Sequence, residues 1–431
     1  MFDQSSSTFD NHVRSLSTAG VLEVPAGSPC VICKGSKNLC GKDRCPLMIK
    51  FYSRSRSRNL MDSLDLAGMS PPGIFVGRFG YPKVDIGPLV PPMMGDTSLM
   101  DTPELWVGKS IDEIVDFRFS LVRGKYRIDA TDFHKYGRIV DHTRDLALSN
   151  DPTEVEAKFL KRPSGRLILD DEVQPFGPSA RLQNLEVGNP RYDHRVEKAF
   201  YDTDLRATEA VKALYREGVL ISKIQKAFSV GAFGVHKRRR FVPTRWSITA
   251  VDDILGKDLL RTTKRNPTIE DWRVYDWEML DNRWSILLMP TTWRYELIEA
   301  WYPNTTWNPL GQQIEIISSH EFYEGRKDYA EIGGCYYAAR LAVNELLMAE
   351  GRQAGAVIFR EAHPGYVMPV GVWNVRENVR AALKTTPHGF ETLSTALQHI
   401  VSRMDISLER WISSSAVLTD MMTQRRIDDY V

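Results

Sequence analysis

The sequence predicts a mixed α/β protein: a small four-cysteine metal knuckle, a β-rich mixed N-terminal domain and a smaller α/β C-terminal domain that ends in helices. Three observations predict this class. Four of the five cysteines lie within residues 30–45. From residue 71, short apolar runs alternate with glycine and proline, as in strands joined by tight turns. In the last third, strand patterns and helix patterns alternate, which is typical of an α/β domain.

Composition places the chain among ordinary globular proteins. Its 431 residues, 42% hydrophobic and 26% charged, allow two or three domains with separate cores. The net charge of +1 neither indicates nor excludes a nucleic-acid partner. Since no apolar run reaches the roughly eighteen residues of a membrane span and no secretory signal is recognisable, we expect no membrane association and a reduced, cytoplasmic protein.

The patterns predict five segments along the chain. They are a flexible leader (1–28), the four-cysteine knuckle with a basic extension (29–68), the N-terminal domain (69–300), the C-terminal domain (310–423) and a short tail (424–431). The connection between the two domains is placed in a loop or short helix that contains Trp293, Trp301 and Trp307.

The cysteine spacing predicts a structural zinc site. The pattern is C-x2-C followed by C-x4-C, formed by Cys30, Cys33, Cys40 and Cys45. Four thiolates can converge on one tetrahedral ion, and such a site has no open position for catalysis. An iron–sulfur cluster is the main alternative, because it takes the same ligands. Two disulfides are disfavoured because the chain has no secretory signal and is too long to need covalent staples.

Two stretches carry an excess of basic residues. Residues 34–58 contain eight basic side chains against one acid, and the expected phosphate contacts there are Arg54, Arg56 and Arg58. The second stretch is read as a strand whose alternate cations face a groove. Its candidate nucleic-acid contacts are Lys237, Arg238, Arg239, Arg240, Arg245 and Trp246. Arginine suits phosphate and tryptophan offers a stacking face. For both stretches the alternative is a solvated charged surface or, in the second, pairing with Asp252 and Asp253.

Local patterns predict the remaining elements of the N-terminal domain. Glycines around Arg78 and Lys83 suggest turns that could cradle an anion. Residues 110–130 alternate well enough for a hairpin that turns near Gly124. Asp151 and the following proline resemble a helix start. Two further helices are expected between residues 193 and 228, and Gly218 stops a run within them.

The C-terminal third is more regular. We expect strands over 281–290, 313–318 and 354–361 and helices over 334–350, 374–383, 390–404 and 407–423. Acids and imidazoles fall at the ends of two of these strands, namely His320, Glu321, Arg360, Glu361 and His363. Together with Arg245 they could line a polar pocket between the domains and support acid–base or metal chemistry. They could equally be satisfied structural pairs.

The chain ends in a pattern typical of peptides that bind a sliding clamp. Gln424, Ile427, Tyr430 and Val431 occupy positions one, four, seven and eight. A short helical turn would join the aliphatic and aromatic side chains into one apolar plug, while the glutamine bonds at the rim. Val431 stands where a second aromatic is the stronger form, so modest affinity is expected. The alternative is a frayed helix end.

Several blocks together resemble the archaeal Nre family of DNA-repair proteins. Besides the cysteine knuckle and the terminal QRRIDDYV, they span residues 77–89, 237–253, 280–290 and 334–343. The resemblance implies Nre N-terminal and C-terminal domains, a zinc-finger-like element at the four cysteines, a role in the DNA-damage response, and binding of the archaeal sliding clamp (PCNA) through the tail. It supplies no catalytic residues.

These observations support three hypotheses. The leading one is a DNA-repair factor that docks on the sliding clamp and contacts DNA through its basic stretches. The second is an enzyme that acts on a nucleotide or nucleic acid in a polar pocket between the two domains. The third is a scaffold that only recruits other repair proteins.

Overall fold

A computed structural model describes residues 22–23, 33, 39–41, 45, 63–164, 167–168, 177–305, 307–308, 311–366 and 369–423. The chain divides into two compact units. The first unit falls within residues 1–251 and 367–370, and the second within 252–366 and 371–431. Each contains a six-stranded mixed sheet, which confirms the predicted mixed α/β class. The division lies earlier in the chain than the predicted connection at residues 300–310.

The first unit is built on six strands in the order β2-β6-β8-β5-β4-β3. Adjacent strands run antiparallel, except that β5 and β8 run parallel to each other. Two short strands, β1 and β7, pair separately. The ranges are β1 Leu22–Glu23, β2 Asp65–Ser70, β3 Ile74–Val76, β4 Lys83–Val90, β5 Val122–Asp129, β6 Thr153–Phe159, β7 Leu167–Ile168 and β8 Ser179–Val187.

Six helices accompany this sheet within the described ranges, and the last of them contains the division between the units. They are α1 Ile111–Ser120, α2 Arg138–Leu148, α3 His194–Tyr201, α4 Ala207–Arg216, α5 Ile221–Ser229 and α6 Thr244–Thr263. Helices α2 and α5 pack against the sheet. Along β4, Val84 and Ile86 are fully buried whereas Lys83 and Asp85 reach the surface, so the opposite face of the sheet is open to solvent there.

Two local predictions in this unit are wrong. The expected hairpin over 110–130 is instead α1 followed by β5, because Ser110 and Glu113 form a reciprocal capping box that starts a helix. The expected helix after Asp151 is strand β6, whose side chains alternate between buried and exposed. Between residues 193 and 228 three helices form rather than two, and α4 ends just before Gly218, as predicted.

The second unit has strand order β12-β11-β13-β10-β9-β14. Only β11 and β13 pair in parallel in this sheet. Three expected strands are confirmed as β10, β12 and β13, but the expected loop after residue 293 is the fully buried strand β11. The ranges are β9 Trp272–Met279, β10 Asn282–Met289, β11 Tyr295–Trp301, β12 Glu315–Glu321, β13 Gly355–Ala362 and β14 His388–Phe390.

Helices cover both faces of this second sheet. They are α7 Gly334–Glu350, α8 Trp373–Leu383, α9 Leu393–Arg403, α10 Leu408–Ser413 and α11 Ala416–Thr423. Alternate residues of β10 enter two cores: Trp284 packs with α7 and α8, whereas Leu287 packs with the last three helices. Helix α7 has the predicted bounds, and Gly351 ends it at a φ of +62°, which glycine adopts readily. No helix in the described ranges is long and apolar enough to span a bilayer.

Candidate functional site

Cations gather on the open face of the first sheet. Arg123, Lys125 and Arg127 lie two residues apart on β5, so their side chains leave the same face. Across the parallel pairing, Arg181 of β8 stands opposite Lys125. We call these four side chains the basic face. Sequence reasoning missed it, although the R-x-K-x-R alternation at residues 123–127 is visible in the sequence.

Few carboxylates balance the basic face. Asp85, opposite Arg127 on β4, forms an exposed ion pair with it at 3.4 Å. The Arg123 guanidinium lies 4.3 Å from the centre of the Phe75 ring, which provides cation–π attraction. In the described part of the chain, no ion pair joins Lys125 or Arg181 to an acid. This leaves two cations available to an external anion.

Burial and repulsion from neighbouring cations lower the pKa values of two side chains of the basic face. Partial burial, then the nearby Arg123 and Arg181, lower the pKa of Lys125. Burial, then Arg118, lower the pKa of Arg123 to about 10. Arg123 remains protonated at neutral pH, because its pKa stays well above 7. A bound anion would relieve this repulsion, so the face is electrostatically prepared for phosphate.

The segment from Lys237 to Arg240 is not a strand. Residues 236–238 form one 3-10 turn, and an extended loop leads into α6. Lys237, Arg238 and Arg240 are exposed, as a phosphate contact requires. Arg239 is only 6% exposed, and its guanidinium donates to three backbone carbonyls, those of Gly234, Phe200 and Asp202. Arg239 is therefore a structural residue, and its predicted phosphate contact is wrong.

Arg245 and Trp246 open helix α6 and are both exposed. The indole of Trp246 lies 5.0 Å from the ring of Tyr81, measured between ring centres. The backbone N–H of Val76 donates to the hydroxyl of Thr244 at 2.8 Å, which ties the β3–β4 hairpin to the start of the helix. The predicted stacking residue thus joins a second aromatic from a distant part of the sequence.

Part of the predicted knuckle falls within the described residues. Cys33 is buried, Cys40 and Cys45 are half-buried, and the Leu39 N–H donates to the Cys33 sulfur at 3.4 Å. An amide that points at a cysteine sulfur suits a thiolate ligand, so these residues fit a zinc site as far as they are described. Cys30 lies outside the described residues. So do Arg54, Arg56 and Arg58 and the tail residues Gln424, Ile427, Tyr430 and Val431.

The predicted pocket at two strand ends does not form. Strand β12 runs antiparallel to β11, whereas β13 runs parallel to it. His320 therefore pairs with Glu296 at the start of β11, while Ala362 pairs with Trp301 at its end. The two predicted groups lie toward opposite ends of the neighbouring strand β11, so the prediction of a single pocket lined by all five residues is wrong.

Glu321 and Arg360 are held in separate buried networks. Glu321 accepts from Arg340 and from the Trp293 indole, each at 2.9 Å. Arg360 donates to Glu299 at 2.8 Å and to Asn282 at 2.9 Å, and its guanidinium lies against the rings of Trp284 and Trp301. Both residues are 2% exposed, so these charges are paired inside the fold and do not face a substrate.

Glu361 and His363 do come together. Their side chains approach to 3.2 Å, and Asp405 lies 4.0 Å from the other imidazole nitrogen. A second group of the same kind consists of Asp276, His388 and His399. Each offers three ligand atoms within 4.8 Å of one another, as a divalent metal requires. In the first group the backbone N–H groups of Asp405 and Ile406 already donate to Glu361. That arrangement satisfies the carboxylate without a metal.

His320 borders a polar cavity of about 660 Å³ within the second unit. The lining includes Ser318, His320, Arg326, Glu331, Ser415 and Asp420. A hydrogen bond from Ser319, reinforced by Arg326, lowers the pKa of Glu331 to about 2, so its carboxylate is ionised. The cavity therefore presents the ionised carboxylate of Glu331 beside the guanidinium of Arg326.

Comparison with known proteins identifies the family of the chain. Residues 39–308 match the family described as archaeal Nre, N-terminal, and residues 321–430 match archaeal Nre, C-terminal. The chain belongs to the archaeal Nre family. The two family matches are separated by residues 309–320, whereas the compact units divide between Val251 and Asp252.

Three Nre relatives match over most of their length. A protein named DNA repair protein NreB from Archaeoglobus fulgidus is 41% identical over 390 residues, covering 90% of this chain and 96% of the relative. DNA repair protein NreA of the same organism is 38% identical, covering 87% and 94%. DNA repair protein NreA from Haloferax volcanii is 35% identical, covering 83% and 87%. The sequence-based family resemblance is confirmed.

One buried cation of this Nre chain was missed by sequence reasoning. Lys223 on α5 is 9% exposed, and within the described structure its ammonium has no hydrogen-bond partner. Burial, then the nearby Lys226, lower its pKa to about 7. Nothing in the local sequence indicates this, because a lysine in an amphipathic helix normally faces water.

Proposed function

We propose that this Nre chain is a DNA-repair factor that contacts DNA directly through the basic face of its first unit. The observation that carries the proposal is the pair of cations Lys125 and Arg181, which stand side by side in the sheet and which, among the described residues, no ion pair joins to a carboxylate. The names of its relatives, all DNA repair proteins, support the repair role. Lys237, Arg238, Arg240 and Arg245 are exposed further contacts.

DNA binding is tested by fluorescence anisotropy with a labelled duplex and the full-length chain. Binding should weaken steeply as salt increases, because each neutralised phosphate releases counterions. The variants Lys125→Glu and Arg181→Glu should each lose at least about tenfold in affinity, since reversal replaces an attraction by a repulsion. Lys384→Glu, an exposed lysine of the second unit, is the matched control. A flat salt response, or equal losses in all three variants, would remove the proposal.

We further propose that the tail binds the sliding clamp through Gln424, Ile427, Tyr430 and Val431. The supporting feature is its place directly after α11, where a peptide can extend to a partner. Calorimetric titration of the cognate clamp should show binding by the full chain and none by a chain ending at Thr423. A conservative control is Asp428→Asn, which keeps all four motif positions. Equal binding by the truncated chain would refute the assignment.

The third part of the proposal is a structural zinc ion held by Cys30, Cys33, Cys40 and Cys45. It rests on the spacing of the four thiols and on the amide donated to Cys33. Elemental analysis of purified, colourless protein should give one zinc per chain, and Cys33→Ser should lower that ratio. Cys335→Ser is the matched control, because that thiol lies in the second unit. Iron and sulfide in equal amounts would favour the cluster.

A further inference from the structure

The turn between β3 and β4 exposes large aromatic side chains. Phe79 is 80% exposed, Tyr81 is 36% exposed, and Trp246, which lies against Tyr81, is 45% exposed. Arg78 lies 4.9 Å from the centre of the Phe79 ring. Exposed apolar residues are ordinary when scattered, but Phe79, Tyr81 and Trp246 belong to one turn and the helix start tied to it. We call these three residues the aromatic platform.

The backbone fixes the platform. Gly80 adopts a φ of +78°, a conformation that side-chain-bearing residues rarely take. The Lys83 N–H donates to the Gly80 carbonyl at 2.9 Å and closes the turn. The hydrogen bond from Val76 to Thr244 holds the same hairpin against α6. Tyr81 and Trp246 are thus oriented before any ligand arrives, which lowers the entropy cost of binding.

Positive charge surrounds the platform. Arg78 and Lys83 flank it within the turn, and Arg245 precedes Trp246. The Arg127 guanidinium lies beside Gly80, since a Cβ added there would be 3.0 Å from it. Arg127 also belongs to the basic face, so the platform and that face are continuous. Aromatic faces bordered by cations match nucleic-acid bases carried on a phosphate backbone.

We propose that the aromatic platform stacks unpaired bases of single-stranded DNA while the basic face holds the adjoining phosphates. This inference rests on the proposed DNA contact and specifies its substrate. In a duplex the base faces are covered by their neighbours, so only a single strand or a locally opened site presents them to Phe79 and Trp246. The chain therefore discriminates between single-stranded and double-stranded DNA.

The test compares a fluorescein-labelled oligo-dT with a duplex of equal length, using the full-length chain. Phe79→Ala and Trp246→Ala should each weaken oligo-dT binding at least about fivefold, since one base stack is lost. Duplex affinity should change less than about twofold. Trp246→Phe should restore most of the affinity, because it keeps an aromatic face. Tyr201→Ala is the matched control, an aromatic of the same unit that is 69% exposed.

The outcomes separate this inference from the proposed function. Selective loss on oligo-dT with rescue by Trp246→Phe supports it. Unchanged oligo-dT affinity in Phe79→Ala, or the same loss on both DNAs, overturns the inference. In that case, sensitivity to Lys125→Glu would still preserve the proposed DNA contact. Absence of binding to either DNA by the unmodified chain overturns both.

Discussion

In the second unit, helices cover both faces of the sheet, and arginines that reach into it are buried beside fixed partners. Arg360 pairs with Glu299, Arg340 with Glu321 and Arg376 with Asp252. In the first unit, Lys125 of β5 is half-buried and Arg181 of β8 is exposed, and in the described structure no ion pair joins either of them to an acid. The comparison shows that burial and pairing, rather than the number of charges, separate structural arginines from those available to a ligand.

The largest effect is expected from breaking a buried pair in the second unit. Glu299→Ala leaves the Arg360 charge buried without its carboxylate, which should lower the free energy of unfolding by about 3–5 kcal/mol. Asp85→Ala in the first unit removes the exposed partner of Arg127 and should cost under about 1 kcal/mol. Urea denaturation measures both. Similar losses would show that the two kinds of ion pair do not differ.

The next largest effect concerns Arg239, an arginine of the first unit that is buried like those of the second. Arg239 is buried and bonded to three carbonyls, so Arg239→Ala should destabilise the protein by roughly 2–3 kcal/mol. Arg238→Ala removes an exposed neighbour and should change stability by less than about 0.5 kcal/mol. Thermal denaturation of the two variants compares them directly. If Arg239→Ala lowered the melting temperature no more than Arg238→Ala does, the structural role of Arg239 would be contradicted.

The buried Lys223 of the first unit should make the free energy of unfolding depend on pH. Its folded pKa is about 7, below the ordinary lysine value of about 10.4. Between these values the unfolded chain binds a proton that the folded chain does not, so the free energy of unfolding rises with pH. Relative to Lys223→Met, the unmodified chain should gain about 2 kcal/mol of stability from pH 7 to pH 9. Lys135→Met, whose exposed lysine is paired with Asp132, is the control.

Below about pH 6 the stability difference between the two chains should stop changing with pH, because Lys223 is protonated in both the folded and the unfolded state. Chemical denaturation at several pH values provides the measurement. A constant difference between the unmodified chain and Lys223→Met across pH 6 to 9 would mean that Lys223 titrates like an exposed lysine.

The sequence predicts regular elements well where one local signal dominates. Helix α7 ends at a glycine, and β13 begins with the apolar run Ala356–Phe359, so both were predicted closely. It fails where signals compete: the capping residues Ser110 and Glu113 outweigh an alternating pattern, and the alternation of β6 outweighs the Asp-Pro signal.

Sites were harder to predict than elements, because they depend on how strands are paired. His320 and Glu361 lie toward opposite ends of the strands because β12 and β13 run in opposite directions, which no local pattern reveals. The same is true of the neighbourhood of Lys125 and Arg181, which are distant in sequence but adjacent in the sheet. By contrast, Trp246 was predicted from its own sequence context as an exposed stacking residue, and only its partner Tyr81 required the structure.

The central claim is that the open face of the first unit, and not merely total charge, binds DNA. The most direct test is the salt dependence of DNA affinity for two double variants that each remove two positive charges: Lys125→Ala with Arg181→Ala, and Lys384→Ala with Arg403→Ala. The first should lower the slope of log affinity against log salt by about 2, with unchanged stability, and the second should leave it unaltered. Equal slopes in the two variants would contradict the claim.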